Sequence, residues 1–295
     1  MTAATRHAVV RAMMREAIDY AGLFPPAALG MDEAVRNFAA YRRGPHAWML
    51  GRFVVPVARL EELAAAYATA QVPDGPPWPL SVIARAADAP ALAAFNARYG
   101  GRLHIDTVEA PPVAAAGVAA LAALSPTYVV YAEVDIAHDP APVVAELARH
   151  GLRAKVRTGG VKAEAIPTPG DVARFIAACH AARVPFKATA GLHHAWRAVY
   201  PLTYAPDAPR GTMFGFANVV FAGAAASGGA GAGELADILA AGESAFSIED
   251  AGAVLPSGRA VPAALVEATR AGGLQSFGSC SFDEPVAELT ERGLL

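Results

Sequence analysis

Apolar and polar positions along the chain switch repeatedly between helical and strand periods, and those switches predict the elements. Residues 5–18 place Val9, Met13 and Ile18 on one stripe, which predicts an opening helix. Ala21-Gly22-Leu23-Phe24, stopped by Pro25-Pro26, reads as the first strand. A helix from Met31 to Tyr41 carries Asp32 and Glu33 in its first turn, and Arg52 to Pro56 makes the second strand. Helices are then expected at Leu60 to Ala70, Pro90 to Tyr99, Pro112 to Ala123, Pro140 to His150 and Asp171 to Ala182. The strands between them are Leu80 to Ala84, Arg102 to Thr107, Thr127 to Ile136, and two ribbons, Leu152 to Gly160 and Val184 to Gly191, that run into glycine turns. An eighth strand, Leu274 to Ser279, comes near the end.

Strict alternation of strand and helix with short connections predicts a parallel sheet, and eight strands predict an α/β (β/α)8 TIM barrel rather than an open doubly wound sheet. Residues 1–295 read as a single barrel domain, because the Pro/Gly-rich stretch Val72 to Pro79 is a loop too short to be a linker. Residues 192–273 form a helical insertion between strands seven and eight, with helices expected at Asn218 to Ala226, Gly233 to Ala241 and Pro262 to Ala271. Residues 211–233 carry no charge and approach the roughly 20 residues of a membrane span. Only Met213 to Phe221 is strongly apolar, so a soluble helix is expected there.

Lysine interrupts two of the apolar ribbons. Side chains alternate along a strand, so Ala154 and Val156 face one way while Lys155 and Arg157 face the other; Phe186 and Ala188 likewise oppose Lys187 and Thr189. With the apolar faces on the helices, both lysines point into one interior. An unpartnered buried ammonium is costly, which makes the two amines candidates for chemistry. The same alternation in Leu103-His104-Ile105-Asp106 and Tyr131-Ala132-Glu133-Val134-Asp135 sends His104, Asp106, Glu133 and Asp135 inward as well. Active sites of this fold lie at the C-terminal ends of the strands. The structural alternative is a buried ion network that fixes strand register.

The formal net charge of −3, with basic residues scattered, gives no footprint for nucleic acid or an anionic membrane surface. Cys179 and Cys280 lie far apart without CxxC spacing, and Met1 to Arg6 lacks the apolar core of a signal peptide. A reducing, cytoplasmic setting is expected. Barrels of this size often self-associate, so a homo-oligomer is compatible with the sequence, although no segment marks an interface.

The two ribbons resemble deoxyribose-phosphate aldolase and its class I aldolase relatives. That family's Lys-x-x-Thr-Gly segment on strand six is matched by Lys155, Thr158 and Gly159, and its second lysine, followed by a small-residue turn, by Lys187, Ala190 and Gly191. Its Gly-x-Ser phosphate turn on strand eight is similar to Phe277-Gly278-Ser279-Cys280-Ser281. The similarity covers about a quarter of the chain, and the whole chain resembles a group of bacterial TIM-barrel proteins. Arg157 stands where the family has a small residue, the second glycine of the strand-seven turn is missing, and the insertion after His194 has no counterpart. The resemblance implies a lyase with a Schiff-base lysine, Lys155, and no cofactor. It also implies an acid/base carboxylate on an earlier strand, for which Asp106, Glu133 and Asp135 are candidates.

A lysine must be neutral to attack a carbonyl, and nearby cations such as Lys187 and Arg157 favour that form. Glycine turns at Gly159, Gly191 and Gly278, with Ser279 and the Arg157 guanidinium, suit an anionic group, so the expected partner is a small phosphorylated or carboxylated carbonyl compound. His193 suits a neutral hydrogen-bonding role above it. A metal-dependent lyase or isomerase is the rival enzyme reading, with His193 or His104 and Glu133 or Asp106 as ligands, although no HxH or HExxH spacing supports it. A non-catalytic anion-binding barrel is the third reading. Cys280 reads as a packed residue rather than a nucleophile.

Overall fold

Hydrophobic alternation sets up strands whose apolar parity meets a ring of helices, and the computed structural model, which describes residues 7–295, closes them into a barrel. Met1 to Arg6, including the first two positions of the expected opening helix, lie outside the described residues. The elements before the insertion are α1 (Ala8–Met14), β1 (Ile18–Tyr20), α2 (Met31–Tyr41), β2 (Leu50–Pro56), α3 (Leu60–Thr69), β3 (Trp78–Ile83), α4 (Ala89–Tyr99), β4 (Leu103–Ala110), α5 (Val118–Leu121), β5 (Val129–Glu133), α6 (Ala141–Arg149), β6 (Arg153–Arg157), α7 (Pro169–Ala182) and β7 (Phe186–Thr189). The insertion adds a two-stranded sheet of β8 (Ala198–Pro201) and β9 (Arg210–Met213), then α8 (Phe216–Ser227) and α9 (Ala232–Ala240). A three-stranded sheet of β10 (Ser247–Glu249), β11 (Gly252–Val254) and β12 (Ala260–Pro262) follows, then α10 (Ala263–Gly272), the last barrel strand β13 (Leu274–Ser279) and α11 (Asp283–Glu291). Strands β1 to β7 pair in sequence order, and β13 closes the ring between β7 and β1, all parallel.

The expected (β/α)8 barrel is therefore what the chain forms. The uncharged run at 211–233 becomes the end of β9 followed by α8, a 12-residue helix buried along nearly its whole length. Phe216 of α8 stacks on Phe277 of β13 at 5.1 Å between centroids, so the insertion supplies part of the barrel's outer ring. Among the described residues no helix is long and apolar enough to cross a membrane. Near the start of the chain Phe38 of α2 packs edge-on against Phe53 of β2 and Trp78 of β3, filling the seam between helix ring and sheet.

Three expectations need correction. The first strand is Ile18–Tyr20, while Ala21 to Phe24 is the turn after it: Ile18 and Tyr20 pack outward, and that three-residue alternation is hidden at the end of a helical stripe. The helix expected over Pro112 to Ala123 shortens to four α-helical residues between two 3-10 turns, at Ala115–Gly117 and Ala122–Leu124. Its alanine-rich sequence offers little apolar surface to bury. Finally, β4 runs on to Ala110 and carries a register shift, with Ile105 opposite Leu80 but Thr107 opposite Ser81. Asp106 is the extra residue, and beyond it the facing of the side chains inverts.

Candidate active site

Three strands align the central charges. Glu133 of β5 is in register with Lys155 of β6, and Lys155 with Lys187 of β7. Ala154, Val156, Phe186 and Ala188 are buried in the hydrophobic core, which leaves both lysines to the barrel interior, and both are almost fully buried. Their partners include two residues that alternation did not reveal. Lys187 Nζ lies 2.5 Å from Asp19 Oδ2 of β1 and 2.6 Å from Glu109 Oε1 of β4. Lys155 Nζ lies 3.3 Å from Glu109 Oε2 and 3.1 Å from Glu133 Oε2, and the other Glu133 oxygen is 3.4 Å from Arg157 Nε.

Hydroxyls complete the network. Ser81 donates to Glu109 Oε1 at 2.7 Å, and Ser276 donates to Asp19 Oδ2 at 2.6 Å. Three cations, Lys155, Lys187 and Arg157, thus face three carboxylates, Asp19, Glu109 and Glu133. Burial alone would raise the Glu109 carboxyl, but the fields of Lys187 and then Lys155 outweigh it and hold it at about 2. Burial would likewise favour a neutral Lys187, yet Asp19 and Glu109 hold its ammonium well above the ordinary lysine range. Lys187 is clamped in its charged form.

Two of the expected carboxylates lie elsewhere. Asp106, turned by the β4 register shift, accepts from Arg52 at 2.7 and 3.0 Å at the N-terminal end of the barrel, away from the lysines. Asp135 lies past the end of β5, is mostly exposed, and pairs with His138 at 3.4 Å while accepting from the Ala137 amide. His104 is exposed at the start of β4 and does not enter the interior. The donors of the metal reading are therefore dispersed, and among the described residues no group of three or more His, Cys, Asp or Glu side chains converges as a metal site.

Sequence reasoning missed Asp19 because its strand is three residues long, and Glu109 because the Asp106 bulge reverses parity. The signal for Asp19 was Ile18-Asp19-Tyr20, a charged residue between two large apolar ones. For Glu109 it was the second alternation, Thr107-Val108-Glu109-Ala110, out of phase with the first.

A cavity of about 400 Å³ opens above the lysines at the C-terminal ends of the strands. Lys155, Lys187, Arg157, His193 and Cys280 contribute to one wall, while Phe24, Val54 and Ile83 make part of the other. Gly159 and Gly191 exist for close approach: a Cβ on Gly159 would lie 3.2 Å from the Gly191 Cα, and Gly191 has φ +77°. Thr158 Oγ1 locks the two turns together by donating to the Ala190 carbonyl at 2.7 Å. The amides of Gly159 and Gly160, which border the cavity, donate to no protein acceptor among the described residues. Gly278 lies within β13, where a Cβ would meet Thr189 Oγ1 at 3.0 Å, so glycine lets the neighbouring strand approach closely.

His193 is buried beside Ser279 Oγ at 3.2 Å and Cys280 Sγ at 3.5 Å. Burial, then the field of His194, pushes its imidazole down to about 4, so it is neutral near pH 7. His194 turns away to Glu288 at 2.5 Å and stacks on Tyr200. Burial raises the Cys280 thiol, which disfavours a nucleophilic thiolate.

No protein-family model matches the chain, and no curated protein matches it in sequence. Among solved structures it is similar to lysine/ornithine decarboxylase from Vibrio vulnificus, complexed with cadaverine at 12% identity and TM-score 0.37 and complexed with putrescine at 11% and 0.36. Each match covers 62% of this chain and 48% of the decarboxylase chain, so the chain spans about half the length of the solved chains that it matches. The barrel assignment rests on the strand order and register of this chain itself.

Proposed function

We propose that this barrel is a lyase of class I aldolase type, in which Lys155 forms an imine with a small anionic carbonyl substrate. The observation that carries the reading is the difference between the two lysines. Both line the cavity, but Lys187 is held at 2.5 and 2.6 Å by two carboxylates, whereas Lys155 has looser contacts of 3.1 and 3.3 Å. An amine that is to attack a carbonyl must give up its proton and leave its ion pair, and Lys155 is the one placed to do so.

Attack of the neutral Lys155 amine on the carbonyl carbon gives a carbinolamine, and loss of water gives the iminium. The iminium draws electrons from the bond between the α and β carbons of the substrate, which breaks as a carboxylate base takes the β-hydroxyl proton, leaving the β carbon as a carbonyl and the enamine on Lys155. Return of that proton to the α carbon and hydrolysis of the iminium by water release the second product and free the amine. Glu109, kept anionic by Lys187, offsets the iminium charge. Glu133 touches both Lys155 and Arg157, so it is positioned to move protons between the amine and the cavity. Arg157 and the unpaired amides of Gly159 and Gly160 support an anionic group on the substrate, either phosphate or carboxylate.

Intact mass after borohydride reduction, with a panel of small aldehydes and keto acids, tests the proposal. The expected result is a covalent adduct with at least one member of the panel. A chain that binds such anions without any adduct is the non-catalytic barrel, and adduct-free turnover that stops on chelation belongs to the metal-dependent reading.

A further inference from the structure

The N-terminal end of the barrel, opposite the lysine cavity, holds a second polar cavity of about 330 Å³. Four arginines line it, Arg15, Arg52, Arg153 and Arg270, against two glutamates, Glu16 and Glu267. Arg52 is neutralised by its paired contact with Asp106. Arg153 and Arg270 are not: neither forms an ion pair among the described residues.

The partners of those two guanidiniums are all uncharged. Arg153 Nη1 donates to Tyr131 Oη and Gln275 Oε1, both at 3.1 Å. Arg270 donates to the carbonyls of Met13 at 2.6 Å and Arg15 at 3.0 Å, and its Nε is buried with no partner. Burial lowers the Arg270 guanidinium to about 10, outweighing the opposing fields of Asp19, Tyr131 and Glu16, none of which contacts it directly. Buried guanidiniums are normally matched by a carboxylate or phosphate. Tyr131 and Ser276 also line this cavity and are the groups that face Lys187 and Asp19, so it is separate from the mouth.

We propose that this cavity is a binding site for a small oxyanion of the phosphate class, held between Arg153 and Arg270. The site is independent of the imine chemistry and stands or falls without it. Arg153 starts β6 and Arg270 lies in the last turn of α10, so an oxyanion between them ties the start of that strand to the end of that helix.

Calorimetric titration of inorganic phosphate at constant ionic strength tests the site, in an Arg157→Gln background that weakens any phosphate binding at the mouth. Phosphate is expected to bind in that background, and a further Arg153→Gln to weaken it by about ten-fold, the worth of one charged hydrogen bond. Arg153→Lys should restore part of the loss. Glu267→Gln, at an exposed rim position, should tighten binding by about three-fold by removing a like charge. Circular dichroism checks the fold of each variant, and if Arg153→Gln fails to fold, the Glu267→Gln result decides. The site is overturned if phosphate does not bind at millimolar concentration in the Arg157→Gln protein. It is equally overturned if neither Arg153→Gln nor Glu267→Gln changes the affinity, or if acetate binds as tightly as phosphate.

Discussion

Oε1 of Glu109 lies 2.6 Å from Nζ of Lys187 while its Oε2 lies 3.3 Å from Nζ of Lys155, so one carboxylate joins two lysines that are neighbours in register. Replacing Glu109 by glutamine leaves Lys187 with Asp19 alone and Lys155 with Glu133 alone, in a site that water barely reaches. Loss of one partner of a buried pair costs about 3–5 kcal/mol. Urea denaturation of Glu109→Gln should therefore give a clearly lower midpoint, and an unchanged midpoint means that the network adds nothing to the fold.

Glu133 and Asp135 share a facing in the sequence but not an environment. Glu133 is buried against Lys155, whereas Asp135 is mostly exposed beyond the strand end. Glu133→Gln should reduce turnover by about 10²-fold, the lower range for a lost general acid or base. Asp135→Asn should leave turnover near wild type and shift stability by no more than about 0.5 kcal/mol, as surface changes usually do. Steady-state rates in the reverse order transfer the proton-moving role to Asp135.

The barrel was legible because its outward-facing residues are strongly apolar and regularly spaced. Lys155, Lys187 and Glu133 were legible for the same reason, being charged residues in phase with apolar neighbours. Alternation failed where the backbone broke phase. Asp106 bulges out of β4, so counting from Leu103 sends His104 and Asp106 inward and hides Glu109, the residue that bridges both lysines. Asp19 was lost because a three-residue strand lacks enough positions to show a period of two. Neither the Arg153 and Arg270 cavity nor the contact between the Gly159 and Gly191 turns has a local signature, since each joins residues far apart in the chain.

Acid should destabilise the fold in two windows. His193 takes up a proton at about 4 in the folded chain against an ordinary 6.5, so the unfolded chain binds more protons between those values. The stability it contributes is complete above pH 6.5 and is lost as pH falls toward 4. Glu109, at about 2 against 4.5, contributes stability that is complete above pH 4.5 and is lost as pH falls toward 2. His193→Asn should flatten the slope of unfolding free energy between pH 6.5 and 4 and leave the more acidic loss in place. A His193→Asn curve parallel to wild type across the upper window places its imidazole in ordinary solvent.

Lys155 and Lys187 are both amines in the same cavity wall, so the site of covalent capture separates them. Lys187 is held in its ammonium form by Asp19 and Glu109, and an ammonium has no lone pair to attack with. Peptide mapping after borohydride trapping of the wild-type chain should therefore place the reduced adduct on Lys155 alone. Lys155→Arg keeps a positive charge opposite Glu109 and Glu133 but removes the primary amine, and it should abolish the adduct and bring turnover to the background rate. Loss of the adduct in a folded Lys155→Arg protein, checked by an unaltered circular dichroism spectrum, ties the chemistry to that nitrogen rather than to the charge balance. An adduct mapped to Lys187 in the wild-type chain reverses the assignment, since it requires Lys187 to leave its two carboxylates while Lys155 stays in place.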